Sequence, residues 1–577
     1  MTGPGGELRI LAPSPRSRQP RLALGWPPGG PQQRGAREGA ATPEWLIAGY
    51  CLFGAMLVGA AVRLAHVMPA DFPLNDGGLF YAMTEDLRRE HFALPTYTSY
   101  NGAHLPFVYP PLALYFTGLL ADATPWSLLD LFHGLPLLVS SLTIGAFFFL
   151  ARSLVRGLFP TACATLAFAL LPGSYVWLIM GGGVTRAVGL LLAILAVHQA
   201  LNAYRRPRAL PVCLGAVFLA GAILSHPEMG WFALYTIGLF FFAYGRNRAN
   251  AVRTGIVIGG AGLLTLPWWA IVVQRHGLTP FASAGNAIWT LQSLGILATL
   301  RITGEGFFPV LGVLALAGLL WCLRARSYLL PLWLALIFVL TPRSMLTMAS
   351  LPLGLLAGIG ASRMLPWMLY GPREFAHTTS RSDLSEGMAW TAQSRRSYLL
   401  PGILGFILLY ATVADTLSHQ AHLGFLGEGE REAMGWIAQH TDPSSVFALV
   451  TGDFWPGDRS SEWFPALTQR TSATTVQGYE WAGPGVMSAR AARSLALQSC
   501  AFRDAACLRR WEQETGVTVT HVYVPKRPPV DLVADVLFTD CCWSLRTSLS
   551  QDPAYTVVYD GPGATVYERS IPRAGWE

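Results

Sequence analysis

The residues best suited to chemistry gather between Asp71 and Pro111, in the stretch DFPLNDGGLFYAMTEDLRREHFALPTYTSYNGAHLPFVYPP. Asp76, Glu85 and Asp86 can take or hold a proton, and Tyr81, Tyr100, Asn101, His104 and Tyr109 offer rings and hydrogen-bonding groups to a polar substrate. Three later positions set a basic group beside glycine or proline: Arg186 soon after Gly181-Gly182-Gly183, His226 before Pro227 and Glu228, and Arg343 after Pro342. Exposed amides at a glycine-rich span end add to a guanidinium charge, which suits Arg186 to a phosphate. His226 can orient a phosphate, bind a cation or relay a proton, and Arg343 can pair with an anion. Each candidate also has a structural alternative. Asn75 or Asp76 fits the N-cap of a following helix, and Glu85 and Asp86 fit a solvated face with Arg88, Arg89 and Glu90. Arg186 fits a snorkelling anchor, His226 and Arg343 fit proline-broken span ends, and tyrosine is enriched at membrane interfaces in general.

The elements that must position these residues lie in a membrane. Of 577 residues 13% are charged and 52% hydrophobic, and the apolar residues come in long blocks, which makes the chain a polytopic α-helical membrane protein. The net charge is +7 and the positive charge is almost all arginine, since Lys526 is the only lysine, and the arginines sit mainly in the N-terminal tail and in short loops. That placement encodes topology, so no nucleic-acid partner is inferred. Residues 1–44, rich in Gly, Pro, Gln and Arg, read as a disordered cytoplasmic tail. The first span begins at Trp45 and ends near Val67, followed by an outer loop, 68–111. Ten more spans are expected near 128–151, 158–180, 187–204, 209–225, 229–245, 254–274, 307–323, 328–341, 345–362 and 398–416. Eleven spans put the N-terminus inside, the chain's end outside, and Arg186, His226 and Arg343 on the same outer face as Asp76. Gly77 to Glu90 is predicted to be an amphipathic interfacial helix with Leu79, Phe80, Met83 and Leu87 on its apolar side. Leu112 to Leu120 is too short to cross and is expected to be a second interfacial or re-entrant helix.

After the membrane domain, residues 45–416, composition changes sharply. In residues 417–577 helical patterns (Gly429–Gln439, Arg490–Gln498, Asp504–Thr515) alternate with β-rich runs (Ser445–Val450, Val517–Val524, Tyr555–Tyr559, Thr565–Tyr567), which predicts a C-terminal extracytoplasmic α/β domain. Asp453 to Pro465 and Val476 to Trp481 read as aromatic, acidic loops. Within them Glu462, Trp463, Tyr479, Glu480 and Trp481 fit glycan contacts, but docking of Trp463, Phe464 and Trp481 onto the membrane part is the favoured reading. Four cysteines, Cys500, Cys507, Cys541 and Cys542, lie in this domain and can oxidise outside the cytoplasm. No Cys/His spacing has the form of a zinc site.

Asn75-Asp76-Gly77-Gly78-Leu79-Phe80-Tyr81, Tyr109-Pro110-Pro111-Leu112 and His133-Gly134-Leu135-Pro136 resemble the motifs of membrane glycosyltransferases of the GT-C superfold. The likeness is to protein O-mannosyltransferases and to the aminoarabinose transferases acting on lipid A. It implies transfer of a sugar, with inversion, from a polyprenyl-phosphate donor to a glycan, lipid or protein acceptor on the extracytoplasmic side of the plasma membrane. Members often carry Asp-Glu where this chain has Asp76-Gly77, so Glu85 or Asp86 is assigned the second carboxylate. Under this reading Asp76 is the base, Arg186, His226 and Arg343 hold the donor phosphate, and Tyr81, Tyr100, Asn101, His104 and Tyr109 meet the acceptor. The sequence calls for no cofactor and leaves open a divalent cation on the phosphate. Two other classes compete: a transporter or flippase of a lipid-linked substrate, and a non-catalytic membrane scaffold. No internal repeat supports the transporter, and the charges gather at one face.

Overall fold

The computed structural model describes residues 43–286, 302–369, 399–418, 423–527 and 541–570. Most of the N-terminal tail and most of the segment 363–396 fall outside the described residues. Each of the eleven predicted spans falls on a helix. Six of the described helices are long and apolar enough to cross a bilayer: Glu44–Val67, Leu128–Leu154, Gly183–Arg205, Arg248–His276, Met345–Leu369 and Leu399–Leu417. Ala209–Ser225, Val310–Arg324, Leu329–Leu340 and Leu158–Leu170 are shorter. Proline explains one difference from expectation. Leu171 precedes Pro172 and is extended, ψ 122°, so the helix from Leu158 stops at Leu170 and a 3-10 turn, Pro172–Ser174, follows.

Burial sorts the spans. The most apolar window of Met345–Leu369 is 94% buried, whereas those of Glu44–Val67 and Arg248–His276 are 22% buried. The first is therefore the centre of the bundle and the other two lie at its rim, where apolar side chains face lipid. Inside the bundle Arg63 is wholly buried. Its guanidinium donates to Ser140 Oγ, to the carbonyls of Gly59, Ala169 and Ser174, and to Ser174 Oγ, so the charge joins three helices and a turn.

The loop after the first span forms the helix Gly78–Arg89, a two-residue hairpin (Tyr97–Thr98 with Leu105–Pro106) and the short helix Leu112–Ala123. Leu79, Met83 and Leu87 recur at helical spacing and are buried, as the amphipathic pattern requires.

The chain ends in a five-stranded mixed sheet. Its order is Thr471–Ser472, Val446–Leu449, His521–Pro525, Ala564–Arg569, Tyr555–Asp560; the first three strands are parallel and the last two pairings antiparallel. Cys500 is disulfide-bonded to Cys507, and Cys541 to Cys542. The stretch Asp453 to Pro465, expected as a loop, instead contains the helix Arg459–Thr468. Asp458 caps it by accepting from the Ser461 amide. Pro465 removes the donor that Ser461 O would receive, and Thr475 Oγ1 donates to that carbonyl at 2.7 Å instead. This helix docks on the membrane part. Trp463 is fully buried against Phe72 and Tyr81, and its indole N–H donates to Asn75 O. Leu74 bridges to Phe425, and Asn101 exchanges hydrogen bonds with the Ser472 backbone.

Candidate active site

Asp76 sits where two glycine-rich segments cross. The Gly181 amide donates to Leu74 O at 2.9 Å. A Cβ on Gly181 would lie 2.2 Å from Asp76 O, and Gly77, at φ +129°, would place a Cβ 2.9 Å from the Gly181 carbonyl carbon. Only glycine permits that approach and that backbone angle. The crossing aims the Asp76 carboxylate at the start of the helix Gly183–Arg205. Oδ1 accepts from the Gly182 amide at 3.0 Å, and Arg186 Nη2 lies 2.8 Å from Oδ1 and 2.7 Å from Oδ2. Arg186 is itself held by the Trp177 carbonyl, 2.9 Å from Nε, and by the Trp177 ring. A negative group at a helix N-terminus is in its favoured place. Asp76 thus caps a helix, but not the one expected. Gly77 occupies the N-cap of Gly78–Arg89 and has no capping side chain of its own. Oε1 of Glu462, from the helix Arg459–Thr468, accepts from the Gly77 and Leu79 amides at 3.3 and 3.4 Å.

A second group of polar side chains adjoins this pair. Tyr109 is buried, with its hydroxyl 3.2 Å from Thr185 Oγ1 and its ring edge toward His226 and Trp481. His226 feels the charges of both Arg186 and Arg343, and its Nδ1 has no partner among the described residues. Glu228 accepts from the Ser344 hydroxyl. Arg343 is exposed to solvent, yet enclosed enough that desolvation opposes its charge, and Glu228, Glu480 and Tyr109 outweigh that penalty. It has no hydrogen-bond or ion-pair partner among the described residues. An unspent guanidinium beside Glu228, Glu480 and Tyr109 is available to an anion.

Asp76, Arg186, His226, Arg343 and Tyr109 therefore come together. The other candidates do not join them. Glu85 pairs with Arg88, which also bridges to Asp122. Asp86 is buried and accepts from the Thr98 hydroxyl, the Ser99 amide and Arg89, so it organises the loop. Tyr81 packs between Phe132 and Trp463. The Tyr100 hydroxyl donates to Glu462 O, and Asn101 binds Ser472, both as domain contacts. His104 is exposed in a separate recess with Asp86 and Tyr97. Three neighbours were not assigned to this site from sequence: Thr185, Glu462 and Glu480. Asp458, a capping residue three positions before Ser461, was the available signal for the helix that carries Glu462. A divalent cation fits poorly, because no three metal-ligating side chains converge among the described residues.

No protein-family model and no curated protein matches the sequence. Solved structures do match. The Archaeoglobus fulgidus oligosaccharyltransferase AglB, in complex with an inhibitory peptide and a dolichol-phosphate, superposes with TM-score 0.50 at 13% identity over 84% of this chain and 70% of its own. ArnT from Cupriavidus metallidurans in the apo state gives 0.51 at 16% identity over 91% of this chain and 97% of its own. The chain has the GT-C fold. The mycobacterial arabinofuranosyltransferase AftD gives 0.50 at 17% identity over 92% of this chain, which spans 40% of AftD. At these identities the GT-C likeness is one of fold, and the residues at Asp76 carry the argument for chemistry.

Proposed function

We propose that this protein is an integral membrane glycosyltransferase that moves a sugar from a polyprenyl-phosphate donor to an acceptor hydroxyl outside the cytoplasm, with inversion. In this reading the chain crosses the membrane eleven times, with its N-terminus cytoplasmic and the sheet domain extracytoplasmic. The observation that carries it is that the carboxylate of Asp76, fixed by Arg186, lies beside a cluster in which His226 and Tyr109 each feel both Arg186 and Arg343, on a GT-C fold. Asp76 takes the proton of the acceptor hydroxyl as its oxygen bonds to the anomeric carbon. The bond from that carbon to the phosphate oxygen breaks, and the phosphate leaves with the electron pair. Arg343 and His226 receive its charge, and Tyr109 lines the acceptor side. Arg186 keeps the Asp76 carboxylate aimed. The solved AglB supports the substrate kinds, since it is bound to a dolichol-phosphate and an inhibitory peptide. Arg63 gives a transporter pathway no support, because its donors are all spent on structure.

The test compares lipid extracts and surface glycans from the native host carrying wild-type protein or Asp76→Asn at matched membrane levels. Accumulation of a lipid-linked sugar and disappearance of one glycan modification is expected with the variant. Unchanged pools, in a host where deleting the gene does change them, would refute the reading.

A further inference from the structure

The outer domain reaches Asp76 through two consecutive residues. Trp463 donates its indole N–H to the carbonyl of Asn75, the residue before Asp76. Glu462 accepts from the amides of Gly77 and Leu79, just after it. The Glu462 carbonyl is also occupied. It accepts from the Tyr100 hydroxyl at 2.7 Å, and a Cβ on Gly78 would lie 2.4 Å from it. Asp76 is therefore clamped on both flanks by a helix more than 380 residues away.

The remaining oxygen of this carboxyl defines its state. Glu462 Oε2 is fully buried and has no hydrogen-bond partner among the described residues. The titratable and charged groups facing Glu462 are Asp76, Arg186 and Tyr100, and Arg186 is committed to Asp76. An ionised Glu462 would be a second buried negative charge without a cation of its own, which is costly. A protonated one keeps its carbonyl oxygen for the two amides and presents a neutral hydroxyl.

We infer that Glu462, delivered by the outer domain, is a positioning residue for Asp76 that fixes the backbone on either side of it and ties domain docking to proton occupancy of the site. Burial, and then the negative charge of Asp76, push the Glu462 carboxyl well above the usual carboxylate range, against the opposing pull of the Gly77 and Leu79 amides and Arg186. A carboxyl raised on folding leaves stability intact at low pH and lowers it as pH rises toward its folded value, because the unfolded chain loses the proton first. The catalytic side of the inference rests on Asp76 being the base; the docking side does not.

The experiment measures thermal unfolding of the full-length protein in detergent from pH 5 to pH 9 for wild type, Glu462→Gln, Glu462→Ala and Asp76→Asn. The wild-type midpoint is expected to fall as pH rises, and Glu462→Gln, which keeps an accepting oxygen and cannot ionise, to remove most of that fall. Glu462→Ala, losing the amide contacts, should be lower throughout. Asp76→Asn should shift the fall to lower pH, since it removes the second of the two causes that raise Glu462 while burial remains. The inference is overturned if Glu462→Gln falls with pH as wild type does, or if Asp76→Asn leaves the fall in place. Transfer assays on the same preparations add an independent arm: Glu462→Gln should extend activity to higher pH, and a profile identical to wild type would limit Glu462 to a purely structural role. If wild type transfers no sugar, the glycosyltransfer reading fails while the unfolding data still decide the docking.

Discussion

Arg186 Nη2 lies 2.7 Å from one oxygen of Asp76 and 2.8 Å from the other, so one nitrogen spans the carboxylate while Nε holds the Trp177 carbonyl. The guanidinium is a bracket between the turn before the helix Gly183–Arg205 and the loop that carries Asp76. Lysine retains the charge but cannot serve both ends in this fork geometry. Arg186→Lys is therefore expected to lower kcat with little change in donor KM. Losing one charged hydrogen bond of about 1.5–3 kcal/mol corresponds to about ten- to a hundredfold. A steady-state transfer assay with varied donor checks this, and an unchanged kcat would show that Arg186 does not orient the base.

Gly181 and Gly134 provide a contrast within the same domain. A Cβ at 181 meets Asp76 O at 2.2 Å, a backbone atom that cannot turn aside, whereas a Cβ at 134 meets nothing within 4 Å. Gly181→Ala should displace Asp76 and abolish transfer in protein that still reaches the membrane. Gly134→Ala should stay within about 0.5 kcal/mol of wild type in stability and keep its activity. Equal activity of the two variants would mean that the crossing at Asp76 is not needed for function.

This crossing also shows what the sequence could and could not convey. Leu79, Met83 and Leu87 announced their helix because local spacing encodes a helical face. Long apolar runs announced the spans for the same reason. The contact between Asp76 and Arg186 joins residues 110 apart, and no periodicity encodes it. Its trace was indirect, in Gly77, Gly181 and Gly182, where the close approach at the crossing demands glycine. Glu85 and Asp86 drew attention by being near Asp76 in sequence, but the helix carries them to other partners. Glu462 was hidden more thoroughly. Its helix contains Pro465, a residue that normally argues against helix, and only Thr475, folded back from the next segment, makes that proline tolerable.

Arg343 differs from Arg186 in having no hydrogen-bond or ion-pair partner among the described residues, so removing it should cost binding of the donor and spare the fold. Arg343→Gln is expected to raise the donor KM at least about tenfold, the weight of one charged contact of about 1.4 kcal/mol or more, with an unfolding midpoint near that of wild type. Titration with polyprenyl phosphate alone, read by the shift in unfolding temperature, isolates the phosphate contribution. Stabilisation by that lipid as strong in Arg343→Gln as in wild type would remove Arg343 from the donor site.

Arg63 is the opposite case, a cation whose value is structural. It is wholly buried between the helices Glu44–Val67 and Leu128–Leu154, and its partners include the carbonyls of Ala169 and Ser174. Ala169 lies near the end of the helix that Pro172 forces to stop, where a terminal carbonyl has no partner within its own helix. The arginine serves that carbonyl and the turn after it. Arg63→Leu preserves apolar volume but leaves buried acceptors unserved, each costing about 1–3 kcal/mol. Arg63→Lys keeps the charge with fewer donors and should lie between the leucine variant and wild type. By contrast Arg431, whose ion pair with the exposed Asp71 lies at the surface, should change stability by about 1 kcal/mol or less on conversion to lysine. Thermal unfolding in one detergent orders the four proteins. If Arg63→Leu unfolds at the wild-type temperature, the buried network does not hold the helix end, and Arg63 must be kept for another reason.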